Sequence, residues 1–147
     1  MSEQPSTVVL DATNHIAGRL CSYVAKMLLK GETVVIVNAE KAVMSGSKRG
    51  VMREQHEFLE ISSVVHPKHG PFHPRRPDRI LTRMVRGMVP RTKPKGVSAM
   101  KRLRVYIGVP KDYEDMKTAE LEKAKIRKPV SYYIRIGDLA REIGWQG

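Results

Sequence analysis

The sequence predicts an α/β fold with a mostly parallel sheet. Three observations lead there. Between residues 7 and 37 a β-branched run, an apolar helical stripe and an unbroken apolar run follow one another. That order is the strand–helix–strand signature of parallel neighbours. A later apolar-rich run at 103–107 supplies a further strand. Finally, 41% of the 147 residues are apolar, enough for a modest core in a single domain, 1–147.

Each element has a local reason. Residues 7–10 form a short strand ending at Asp11, and Thr13 or Asn14 is placed to cap the next element. Ile16, Leu20, Val24, Met27 and Leu28 recur at helical spacing, with Gly31 as the stop. Residues 33–37 are a buried-type strand, and 42–44 are a candidate third strand. Ser45-Gly46-Ser47 turns the chain into a second helix, 49–59. Pro77 and Asp78 suit the first turn of a helix over 77–88. Val97 and Met100 indicate a helical turn. Residues 103–107 are a strand closed by Gly108-Val109-Pro110. The mixed charges of 111–128 read as a surface excursion, 132–136 as strand or extended chain, and 137–143 as a terminal helix.

Charge placement narrows the function. The chain carries 27 Lys+Arg against 15 Asp+Glu, a net +12. Residues 1–65 are neutral, with 7 of each sign, and residues 105–147 carry 8 against 7. Residues 66–104 carry 12 cations and only Asp78, so nearly the whole excess lies there. Concentrated like charge repels itself unless an anion relieves it. This segment, an arm and helix inserted in the domain, also holds six of the nine prolines. Prolines every three or four residues exclude helix and ladder from 66–77. The arm reads as extended and stiff, ordered by something outside the domain.

On a helical wheel with Arg79 at 0°, Arg83 falls at about 40° and Arg86 at about −20°. Ile80, Leu81, Met84, Val85 and Met88 occupy the other side. One face is therefore apolar, and the opposite one is an arginine stripe without an acid. Like charges at i,i+4 destabilise an isolated helix, so the stripe points to an anionic partner. Eight of the segment's twelve cations are arginine. The guanidinium fork binds phosphate bidentately and sheds water more cheaply than ammonium. Aromatic residues make up only 5%, few for a stacking single-strand binder, which favours a reader of folded RNA shape and backbone. Phe72 is available either to stack on a base or to anchor the arm.

Other chemistries find little support. His66, His69 and His73 resemble a ligand cluster, but prolines and glycine separate them and no cysteine lies near. No metal and no cofactor is expected. Ser45-Gly46-Ser47-Lys48 lacks the earlier glycine of a phosphate loop. Asp11 lies at a strand-to-helix switch, where enzymes of this class place sites, but a capping turn is the simpler role. Cys21, the single cysteine, reads as core, and Trp145 and Tyr132 read as ties for the terminus. No nucleophile has an evident partner. No apolar run approaches the roughly 18–20 residues of a membrane span, and the polar stretch 1–7 lacks a signal pattern. A soluble intracellular protein is expected. Two rivals remain: an α/β enzyme of nucleotides or phosphometabolites, and a duplex-DNA binder.

Several stretches resemble a known family. Val9-Leu10-Asp11-Ala12 followed by Gly18-Arg19-Leu20, and Val35-Ile36-Val37-Asn38-Ala39-Glu40-Lys41, are similar to the opening of the universal ribosomal protein L-thirteen family. Its more specific part is matched by Gly70-Pro71-Phe72-His73-Pro74-Arg75, Val85-Arg86-Gly87-Met88-Val89-Pro90 and Arg102-Leu103-Arg104-Val105-Tyr106. The proline-rich arm resembles the archaeal and eukaryotic branch, and the short end after Trp145 the archaeal one. The resemblance implies a three-layer α/β/α domain with a four-stranded parallel sheet. It implies a structural, non-enzymatic protein of the cytoplasmic ribosome's large subunit, without a small-molecule substrate. Its partners would be large-subunit ribosomal RNA and neighbouring ribosomal proteins, and it would support subunit assembly. RNA contacts would fall on Lys48, Arg49, His66, Lys68, His69, Phe72, His73, Arg75, Arg76, Arg79, Arg83 and Arg86. Further contacts would fall on Arg91, Lys93, Lys95, Lys101, Arg102 and Arg104. Gly87 would permit close backbone approach or end the helix.

Overall fold

The computed structural model describes residues 6–147; most of the stretch read for a signal pattern lies outside them. β1 (Thr7–Asp11), β2 (Thr33–Val37) and β4 (Leu103–Val105) form a parallel sheet in the order β1-β2-β4. Val9 stands opposite Val35, and Val35 opposite Arg104. Alternation along the strands sends Leu10, Val34, Ile36 and Leu103 to one face. There they meet Leu20, Val24 and Leu28 of α1 (Ala17–Leu29) and Ile80, Leu81 and Val85 of α3 (Pro77–Met88). Val9, Val35 and Val37 point the other way. They are covered by Tyr106 and by Tyr113 of the one-turn helix α5 (Lys111–Glu114). On this face, therefore, the sheet is covered by a loop tyrosine and a single helical turn.

The expected four-stranded parallel sheet is not what forms. Asn38 takes a left-handed conformation (φ 56°) and starts a 3-10 turn at Ala39–Lys41, which lifts the chain off the sheet. β3 (Val43–Ser45) consequently pairs antiparallel with β5 (Tyr133–Arg135) in a separate two-stranded sheet. α2 (Lys48–Glu60) packs on that sheet through Val51, beside Ile134 and Leu139. Among the described residues, Ala119 alone pairs at the outer edge of β1. β4 stops at Val105, two residues early: the Tyr106 N–H still donates to the Ile36 carbonyl of β2 at 2.8 Å, but beyond it the chain turns to the loop after β2. Tyr106 and Gly108 accept from the N–H groups of Ala39 and Asn38 at 3.1 and 2.9 Å.

The turn into α1 also differs from expectation. Neither Thr13 nor Asn14 caps the helix; its N-cap is Ile16, without a side-chain bond. Asp11 instead accepts from the Thr13 N–H (2.9 Å) and hydroxyl (2.6 Å) and from the Asn38 amide (3.1 Å). Burial pushes the Asp11 carboxyl up, but Thr13, Asn38 and nearby Lys41 outweigh it and hold it below its ordinary value. His15, buried, bonds the Thr13 carbonyl through Nδ1 (2.8 Å), and its Nε2 accepts from the Leu121 N–H (3.1 Å). Residues 111–128 are therefore more than a surface excursion. Ala124 is fully buried and accepts from the Ile16 N–H at 2.8 Å, so the segment straps the β1–α1 turn. α4 (Pro94–Lys101) and α6 (Ile136–Glu142) complete the domain. Trp145 packs at the core edge as expected, whereas the Tyr132 ring is exposed and it is the Tyr132 carbonyl that makes a tie, accepting from the Gly46 N–H at 3.0 Å.

Candidate nucleic-acid interface

α3 sets the geometry. Pro77 opens it and Asp78 lies in its first turn. Ile80, Leu81 and Val85 are buried, which fixes the rotation of the helix and turns Arg79 and Arg83 outward, both exposed. The loop before the helix brings further cations alongside. Arg75, Arg76, Arg79 and Arg83 line one groove of about 590 Å³ together with Phe72, His73 and Pro74. Phe72 is 78% exposed, so it does not anchor the arm.

His73 does anchor it. Its Nε2 bonds the Ile61 carbonyl at 2.6 Å, and its ring meets Phe58 edge-on at 4.4 Å. His73 is thereby held apart from His66 and His69, whose exposed rings contact each other at 4.1 Å. Arg75 runs so close to Gly144 that a Cβ there would lie 2.9 Å from Nη1. The arm is thus tied at two points to its own domain, and it contains a 3-10 turn at Pro67–His69, carrying Lys68, where wholly irregular chain was expected.

At the far end of α3, Arg86, Arg91 and Lys101 line a second groove of about 360 Å³ with Val97 and Met100. Arg91, partial desolvation and Arg83 together lower the Arg86 guanidinium from its ordinary range, the mark of crowded like charge. Lys93 and Lys95 are exposed around the start of α4. Lys95 shares a third groove, about 460 Å³, with Lys26 and Lys30 at the end of α1. Those two lysines were missed because they lie in the neutral third of the chain; their i,i+4 spacing was the available signal.

Among the described residues, one ion pair touches this surface, Arg76 Nε to Asp78 Oδ1 at 3.3 Å. The other guanidinium groups have no carboxylate partner. Four expected contacts stand apart. Arg102 is half-buried and donates to the Leu28 carbonyl at 2.6 Å. Arg104 is exposed but donates to the carbonyls of Lys101 and Leu103. Lys48 and Arg49 begin α2, about 20 Å of helix away from where the arm starts. Gly87 lies inside α3 without a positive φ, so it does not end the helix, and a Cβ there would meet nothing.

Fold and surface together define a class: a small α/β scaffold that presents an unneutralised arginine face. The family model described as "Ribosomal protein L13" matches residues 6–112. The "Large ribosomal subunit protein uL13" of Methanococcoides burtonii is 48% identical over 137 residues, covering 92% of this chain and 96% of that one. The protein of the same description from Methanosarcina barkeri is 46% identical over 138 residues (92% and 96%), and that from Methanopyrus kandleri 41% over 143 (94% and 87%). The chain belongs to the ribosomal protein L13 family, a family of ribosomal proteins and not of enzymes, and its relatives are of the archaeal type. Among the described residues no helix is long and apolar enough to cross a membrane.

Proposed function

We propose that this chain is a structural constituent of the large ribosomal subunit. It binds large-subunit ribosomal RNA by phosphate and shape contacts, adjoins other ribosomal proteins, and supports subunit assembly as one rigid domain. The observation that carries this reading is the groove over Arg75, Arg76, Arg79 and Arg83, where four guanidinium groups have only Asp78 to answer them. Such a surface is stabilised by a dense array of phosphate oxygens. The core holds it rigid, so little ordering entropy opposes binding. Phe72, open to solvent beside the arginines, is free to stack on an unpaired base.

The chain is expected to co-sediment with large subunits and to leave them only at high salt. With about 6–10 phosphates engaged, affinity for large-subunit rRNA falls by roughly 10³–10⁵ between 50 and 200 mM salt. A salt-insensitive interaction would refute the phosphate mechanism. Equal competition by duplex DNA would refute the preference for folded RNA.

A further inference from the structure

A second set of cations converges at the N-terminal end of α1. Arg19 stands in the first turn of that helix, and Arg127 and Lys128 follow the strap over residues 111–126. With Ile16, Ser45 and Tyr133 they line a cleft of about 220 Å³. All three cations are exposed. The Lys128 N–H donates to the Tyr133 hydroxyl at 3.3 Å, and its ammonium lies 5.7 Å from the Tyr132 ring centroid, which steadies this corner.

The charge here is uncompensated. The first turns of α1 and α2 contain no acid. The nearby carboxylates Glu120 and Glu122 both bond Lys125. Among the described residues none of the three cations pairs with a carboxylate. Lys48 and Arg49, both exposed, open α2 three and four residues after Ser45. Ile16 and Tyr133 supply an apolar wall, against which cationic attraction is stronger than on an open surface.

We propose that Arg19, Arg127 and Lys128 form a second phosphate-binding site, which takes the backbone of an RNA segment other than the one on α3. This proposal rests on the RNA-binding reading above. Lys26 and Lys30, which face Lys95 and Met88, sit at the opposite end of α1. That helix has 13 residues, about 20 Å. The cleft and the Lys26–Lys30–Lys95 groove are thus set apart along a rigid rod. Cys21, which meets Leu81 of α3, lies about 200° round α1 from Arg19, so the cleft and the arginine helix are on different sides of α1 and the domain clamps two stretches of RNA.

The test uses the full chain and large-subunit rRNA. The triple variant Arg19→Gln, Arg127→Gln, Lys128→Gln is compared with Arg79→Gln, Arg83→Gln, with circular dichroism verifying each fold. The cleft variant is expected to bind more weakly, and its log–log salt slope to be shallower by about 3, roughly 1 per lost phosphate contact. RNA is also expected to shield Lys128 from acetylation, in the unaltered chain and in the Arg79/Arg83 variant alike. That protection needs no cleft substitution, so it decides even if the triple variant misfolds. Unchanged affinity and slope in the cleft variant, with the Arg79/Arg83 variant weakened, overturns the second site and leaves RNA binding standing. Loss of rRNA binding by the unaltered chain overturns both. Saturable calorimetric binding of inorganic phosphate, lost in the cleft variant, overturns the RNA assignment in favour of a free anion.

Discussion

Arg102 Nη2 donates to the main-chain carbonyl of Leu28 at 2.6 Å, joining the turn before β4 to the C-terminal end of α1 across 74 residues. The last carbonyls of a helix lack partners within it, and a cation there also complements the helix dipole. Arg102 came from the most basic stretch of the chain, yet its guanidinium serves the fold.

Arg102→Ala is therefore expected to lower stability by about 1–3 kcal/mol, as for a partly buried charged hydrogen bond. Arg79→Gln, on an exposed face, should stay within about 0.5 kcal/mol of the unaltered chain. Urea denaturation of both measures this. Equal stability of the two variants would show that the Leu28 bond contributes nothing.

Arg83→Glu is expected to weaken rRNA binding while leaving the circular dichroism unchanged. The residue is exposed, and the buried Leu81 and Val85 keep α3 in place. The substitution removes one cation and sets a carboxylate among Arg76, Arg79 and Arg86, which repels phosphate. Filter binding at low and high salt checks it, and an unaltered affinity would contradict it.

Two glycines should respond oppositely to alanine. At Gly96 a Cβ would lie 2.0 Å from the Pro90 carbonyl oxygen, a backbone atom that cannot step aside. Gly96→Ala should destabilise the chain by more than about 2 kcal/mol and displace α4 from α3. At Gly87 nothing lies within 4 Å and the backbone is helical, so Gly87→Ala should stabilise the isolated protein by up to about 1 kcal/mol. A simultaneous loss of rRNA affinity by Gly87→Ala would locate a close backbone approach there; unchanged affinity would exclude it.

The Asp11 carboxyl sits below its ordinary value of 3.8 in the folded chain. A depressed folded value stabilises the protein above the unfolded value, and that stabilisation disappears as pH falls through the folded one. Asp11→Asn should thus be less stable than the parent at neutral pH, and the gap should close as the solution is acidified below that window. Urea midpoints measured from neutral to acid pH test this; a gap that stays constant would place the effect in packing or in the lost Thr13 and Asn38 bonds.

Much of the architecture was legible in the residues. β2 and α3 match their expected bounds, because an unbroken β-branched run and a two-faced wheel are local signals. The arginine face was legible for the same reason: one helix carries both the apolar stripe that fixes its rotation and the cations opposite. What escaped was assembled from distant pieces. Ala119 and Ala124 read as parts of a charged surface stretch, yet they hold β1 and the entry to α1. His15 stood out as nothing in particular until Leu121 reached its ring. The cleft of Arg19, Arg127 and Lys128 lies in regions whose charge sums to nearly zero.

The order of residues alone settled the α/β class, the helix that bears the arginines and the cationic character of residues 66–104, since periodicity and charge density are properties of neighbours along the chain. Only folding decided that β3 would leave the parallel sheet for β5, that Arg102 would turn inward to Leu28, and which other cations would meet. Those outcomes depend on where the chain returns in space. That return is governed by packing and by unpaired backbone groups finding partners, and neither is written in any short stretch of residues.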